Sequence, residues 1–264
     1  MRPLYTLSLI SVCSLTALAC SSDRVTSPST NEVSLAALLP DHDVLRSKLR
    51  DIVGQKNGGL GFEMWATIVD RNGKVVDVVF SGENRTDQWP GSRVISAQKA
   101  NTANAFSLDG FALSTANLYA AVQPGGSLFG LQESNPVDPR VAYGGSAADF
   151  GTRNDFMIGK RIGGINVFGG GLALYSSSGK LLGGIGLSGD TSCSDHIKAW
   201  KLRHALNLDN VPAGPAASNT DNIIYQSGAL DGFEHPRCLD LDGQGNSVNI
   251  GNNLPTNFPV GPEE

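Results

Sequence analysis

The sequence predicts an α+β fold in which an antiparallel sheet is flanked by α-helices. Apolar, β-leaning runs come in pairs joined by glycine-bearing turns. Helical stretches surround them, in the order helix, two strands, two helices, two strands, helix. Composition agrees. The 264 residues include 32 glycines and only 17% charged residues, which suits a compact, turn-rich domain better than a coiled coil or a disordered chain.

Taken in order, Pro40-Asp41 opens the domain. Val44, Leu45, Leu49, Ile52 and Val53 share one helical face, and Gly58-Gly59 stops that helix. Residues 62–70 and 74–81 are strand-like around the turn Arg71-Asn72-Gly73. Residues 92–107 form a helix of small residues, and 115–122 a further helical turn or two. Residues 123–159 are a loop long enough to imply function or mobility. Residues 162–168 are a candidate extra strand. Residues 172–175 and 181–187 form a hairpin about Ser176-Ser177-Ser178-Gly179. Ser188, Asp190, Thr191 and Ser194 then offer caps for a last helix ending near Asn207. From Val211 the composition turns to Pro, Gly, Asn and Asp. Residues 209–264 read as an irregular extension lying on the 41–208 domain, with a short strand at 223–225 and fraying after residue 250.

The first 19 residues read as an export signal. Arg2 gives a basic start, and residues 4–19 are apolar or small but too short to span a bilayer comfortably. The segment ends Ala17-Leu18-Ala19-Cys20. A small residue before cysteine at the end of such a signal resembles a bacterial lipobox, which implies cleavage before Cys20 and lipid on its sulfur. The competing reading is an ordinary signal cut nearby. Ser21 points to an outer-membrane address facing the periplasm. Residues 20–40, rich in Ser, Thr, Asn and Pro, form a flexible tether. Cleavage would lower the formal charge of −5 by one, and an acidic chain argues against nucleic acid as a partner.

The stretch 163–206 carries a family resemblance. Gly-Gly-Gly-Leu-Ala-Leu at 169–174, Ser178-Gly179-Lys180, Gly-Gly-Ile-Gly-Leu-Ser-Gly at 183–189 and Asp195 resemble the GlcG/HbpS-like family of haem-binding or haem-degrading domains. Ala173 stands where that family usually has proline. Lys99-Ala100, Thr102-Ala103 and Phe106 resemble its second helix. The resemblance spans roughly residues 43–208. It implies a profilin-like antiparallel sheet with helices packed on it, haem or a related small ligand as cofactor, and a homo-oligomer.

Other motifs weigh differently. Gly184-x-Gly186-x-x-Gly189 matches the dinucleotide fingerprint, but no second strand follows to complete a βαβ unit. Glycines that allow close helix–strand packing are the better reading. Asp240-Leu-Asp242-Gly-Gln244-Gly-Asn246 spaces oxygen ligands as a calcium loop does, yet Gly251 replaces the closing Glu. An Asx-rich turn competes with it. Cys193 opens the last helix, where a thiolate would be stabilised. A disulfide to Cys238 is preferred, since exported proteins keep disulfides.

His196 and His204 are the histidine candidates for haem iron. A helix-start contact for His196 and a buried, hydrogen-bonded role for His204 compete with that. Arg140, Arg153, Lys160 and Arg161 are candidates to meet the haem carboxylates, and each also reads as a solvated loop charge. The expected slot lies between the hairpin, the 123–159 loop and the last helix. No Ser/His/Asp elbow, paired catalytic carboxylates or HExxH motif appears, and no catalytic residue is assigned. A lipid-anchored haem binder is the leading reading. A haem-degrading enzyme and a structural envelope domain stand beside it.

Overall fold

The computed structural model of the protein describes residues 37–230, 232–241 and 246–261. The expected export segment, Cys20 and most of the expected tether lie outside them. No helix among the described residues is long and apolar enough to cross a membrane.

Helix α1 (His42–Val53) starts where Asp41 accepts a hydrogen bond from the Val44 amide, and it buries Leu45, Leu49 and Ile52. Strands β1 (Trp65–Asp70) and β2 (Val75–Phe80) follow. In their turn, Asp70 Oδ1 accepts from the Asn72 and Lys74 amides, and Gly73 takes a φ of +73° that side-chain-bearing residues avoid. Helix α2 (Ser92–Ala105) is followed by 3₁₀ turns at Thr115–Leu118 and Ala120–Val122 and a short α3 (Pro139–Ala142). Strands β3 (Gly171–Tyr175) and β4 (Leu181–Ser188) form the hairpin, and α4 (Ser192–Ala205) follows with Thr191 as its cap. The extension holds β5 (Ile224–Tyr225), β6 (Glu234–His235), α5 (Ser247–Asn252) and α6 (Leu254–Asn257).

The four main strands form one antiparallel sheet in the order β2-β1-β4-β3. Helix α2 lies on one face, and α1 and α4 lie on the other. The two faces make two cores. Leu45, Leu49, Ile68, Leu174, Ile185, Ile197 and Trp200 fill the α1/α4 side. Trp65, Val69, Val78, Ala97 and Ala100 fill part of the α2 side. Gly184 and Gly186 are where α2 meets the sheet. A Cβ at Gly186 would lie 2.0 Å from the Ser96 carbonyl, and one at Gly184 would lie 2.3 Å from that of Ala100. The fingerprint-like glycines therefore serve close packing. Residues 162–168 join no strand: Asn101 donates to the Gly164 carbonyl and Asn166 donates to Thr102 Oγ1, so α2 side chains hold this segment.

The extension is a second cover. Helix α4 is buried from Cys193 through Arg203, because the sheet lies on one side and residues 220–258 on the other. Arg203 makes a bidentate pair with Asp221 at 2.7 and 2.8 Å, and Trp200 donates to the Phe258 carbonyl. The fraying expected after residue 250 does not occur among the described residues: α5 and α6 dock there, with Leu254 buried. Cys193 and Cys238 are disulfide-bonded, their Cα atoms 5.9 Å apart. Closing that loop restricts the unfolded chain by about 4 kcal/mol in the chain-entropy picture. The calcium-like stretch lies partly outside the described residues. Within them, the Asp240 carboxylate is occupied by the Gly59 amide and by the Ser247 amide and hydroxyl, while Asn246 caps α5.

Candidate functional site

The expected slot beside the hairpin is filled. Every residue of β3 and β4 is buried, with α2 packed on one face of the pair and α4 on the other. The 123–159 loop divides instead between two cavities elsewhere.

The larger is a cleft of about 780 Å³ between the start of α1, residues 80–86 and residues 147–154. Its size suits a small-molecule site. Phe80 and Phe150 contribute apolar surface, Arg46, Arg85 and Arg153 contribute cations, and His42 lies in the wall. Each has a local cause. Arg46 sits one helical turn after His42 and donates to the carbonyls of Phe80 and Gly82, which binds α1 to the end of β2. The far wall is held by the buried pair of Arg93 and Asp155. Asp155 also accepts from the Gly151 and Met157 amides, and the Arg93 guanidinium lies 3.7 Å from the Phe150 ring centre. Gly151, at φ +76°, lets the loop approach the sheet: a Cβ there would lie 2.9 Å from the Trp65 ring.

His42 is the histidine of this cleft. Its Nδ1 lies 2.8 Å from Asp77 Oδ1, a nearly buried carboxylate in the middle of β2. Burial raises the Asp77 pKa, while the His42 contact and the Val78 amide oppose that rise. The other ring nitrogen, Nε2, makes no hydrogen bond among the described residues. An imidazole held at one nitrogen by a carboxylate, with no hydrogen bond at the other, is the arrangement of a metal-ligating histidine. Arg85 likewise has no hydrogen-bond or ion-pair partner among the described residues. An imidazole, aromatic surface and arginines together match an iron macrocycle bearing carboxylates.

The second cavity, about 630 Å³, lies between residues 106–128 and Leu230, Gly232 and Phe233, and Phe106, Leu118 and Leu128 also line it. Among the described residues it has no charged or histidine side chain in its lining. An apolar ligand fits it better than one carrying carboxylates.

The residues singled out from sequence are dispersed. Arg153 reaches the rim of the cleft and pairs with Asp43 at 2.6 Å, both exposed. Arg140 is exposed and pairs with its neighbour Asp138. Lys160 stands 3.6 Å from the Phe156 ring centre, and Arg161 donates to the Asn72 carbonyl. His204 holds Asp209 at 2.8 Å and meets the edge of Phe258. His196 is fully buried against Asn222 and the Ile223 amide, and burial pushes its pKa down to about 3. Neither histidine lines either cavity. His42 and Arg46 were visible on the first helix but were not among the sequence candidates, and neither were Asp77 and Arg85. One signal was present: in Val-Val-Asp-Val-Val-Phe a lone acid interrupts an apolar strand, and a buried carboxylate needs a partner.

Comparison with solved structures finds matches at low identity. A Klebsiella pneumoniae protein, ORFY, is 22% identical over 72% of this chain and 97% of its own, with a TM-score of 0.40. The crystal structure described as a PduOC:heme complex is 21% identical over 68% of this chain and 95% of its own, TM-score 0.41. A double mutant of Streptomyces reticuli HbpS is 16% identical over 72% of this chain and 97% of its own, TM-score 0.40. No curated protein matches. The family described as "Haem degrading protein HbpS-like" matches residues 47–202, more than half of the chain. The α+β domain built on the 65–188 sheet thus belongs to the HbpS-like family.

Proposed function

We propose that this protein binds haem in the cleft at the start of α1, with His42 Nε2 as the iron ligand, and works in the cell envelope on a lipid attached to Cys20. The observation that carries the reading is His42, held by Asp77 from behind and placed in the wall of a cleft that Arg46, Arg85 and Arg153 also line. His42 replaces His196 and His204 as the ligand candidate because it lines a cleft, whereas His196 is fully buried and neither of the two lines either cavity. Arg85 and Arg153 would meet the haem carboxylates, and Phe80 and Phe150 would meet the ring. Haem bound there would supply a redox-active iron and a visible chromophore. The family description supports haem as the ligand. The Ala19-Cys20 junction supports the anchor.

An absorption titration with haemin tests binding. A saturable Soret shift at micromolar haemin is expected, and its absence overturns the reading. The family description also names degradation, so a Soret band that decays on adding a reductant would favour an enzyme over a carrier. Mass spectrometry of the native protein tests the anchor. An unmodified N-terminus at a residue other than Cys20 contradicts it.

A further inference from the structure

Away from the cleft, three side chains with metal-ligand chemistry meet at the amino end of α4. Cys193, Cys238 and His235 bring one ligand atom each within 4.8 Å of one another. We propose that reduction of the Cys193–Cys238 disulfide opens a Cys₂His site for one thiophilic metal ion of the zinc class.

Three features support this. The first is the histidine. The His235 ring is 2.7 Å from the Pro236 carbonyl through Nδ1, which therefore carries the proton and donates. Nε2 is left as the lone pair, loosely met by the Gly169 amide at 3.4 Å. A ligating histidine is characteristically oriented by such a carbonyl. The second is the reception of a thiolate. The Cys193 amide donates to Cys238 Sγ at 3.1 Å, and the Ser192 hydroxyl lies 3.5 Å from the same sulfur. Both belong to the first turn of a 14-residue helix, where negative charge is stabilised. The third is the setting. Cys193 and His235 are buried, while Cys238 is half-buried on a segment whose Leu239 and Leu241 face solvent. A reductant can approach Cys238, and that side of the site can move. Zinc–sulfur bonds near 2.3 Å at a tetrahedral angle need sulfurs about 3.8 Å apart, which requires such movement.

The chemistry balances. A dithiol attacks Cys238 Sγ, the S–S bond breaks, and Cys193 leaves as a thiolate in the helix amino end. A second thiol of the reductant then frees Cys238. Two electrons pass to the cysteines, and the dithiol becomes a cyclic disulfide. The two protons of the dithiol pass to the cysteines or to solvent, and the site binds zinc(II) as two thiolates, any cysteine still protonated releasing its proton to solvent.

The test uses cobalt(II) as a coloured probe, without oxygen, on the protein reduced by a phosphine. Reduced wild type is expected to give saturable thiolate-to-cobalt charge-transfer and visible d–d bands at one equivalent, removed by zinc(II). The oxidised protein is expected to give none. His235→Ala and His235→Gln are both expected to weaken cobalt binding by more than the roughly 10-fold that loss of an outer-shell partner costs. The proposal is overturned if the reduced protein gives no saturable thiolate band, or if both variants bind as wild type does. Loss of the folded far-ultraviolet spectrum on reduction also overturns it, because the disulfide is then only a staple.

Discussion

Nδ1 of His42 lies 2.8 Å from the carboxylate of Asp77, 35 residues further along the chain. One residue opens α1 and the other sits inside β2. The contact fixes the helix start against the sheet and sets the ring's orientation in the cleft wall. A carboxylate as buried as Asp77 needs this partner, and the histidine needs the carboxylate to hold its tautomer.

Asp77→Asn keeps the shape and removes the charge. We expect haemin affinity to fall by roughly 10- to 100-fold, the usual cost of losing an outer-shell carboxylate, with the chain still folded. A titration of both proteins, with circular dichroism as the folding control, checks this. Unchanged affinity would mean that Asp77 does not orient the ligand.

Asp221→Ala leaves the Arg203 guanidinium buried without its bidentate partner. Breaking a buried pair from one side costs about 3–5 kcal/mol. Urea unfolding should report a loss of that order, and replacing both residues by leucine should recover part of it. A loss below about 1 kcal/mol would mean that the extension contributes little to holding α4.

Acid should destabilise the fold. Burial pushes the pKa of His196 down to about 3 and that of His235 down to about 4. In the unfolded chain both titrate near 6.5. Their contribution is complete above that value and is lost as the pH falls toward 4, because only the unfolded state takes up the protons. Asp195, pushed up to about 6 by burial, works the other way, since its folded form holds a proton that the unfolded form lacks. Asp77 and Asp209, also raised by burial, work the same way, so the effect of the histidines is clearest as the pH falls from about 7 toward about 6. Denaturant midpoints should fall over that interval. A flat profile would contradict the buried, neutral assignment of the histidines.

The fold was largely legible because its signals are local. The turn at Gly73, the cap at Thr191 and the alternation of glycine with apolar residues in β4 each follow from short-range rules. The role of Gly186 followed too, since a glycine in a buried strand asks for close backbone approach. The cleft was not legible. It joins residue 42 to residues 80–86 and 147–154, and no spacing in the sequence announces such a meeting. His196 looked available because it begins a helix, where exposure is the usual expectation. The extension removed that exposure by covering α4. The same cover explains how 247–257, weak in apolar residues, docks: Ile250 and Leu254, with the adjoining Phe258 and Val260, pack against the cluster that holds Trp200.

The central claim is that His42 presents Nε2 to haem iron. The direct measurement is a haemin titration of wild type, His42→Ala and His204→Ala, followed through the Soret band. We predict a saturable shift for wild type and for His204→Ala. For His42→Ala we predict a displaced maximum and affinity lower by roughly 10-fold or more. A His42→Ala titration that superimposes on wild type would contradict the account.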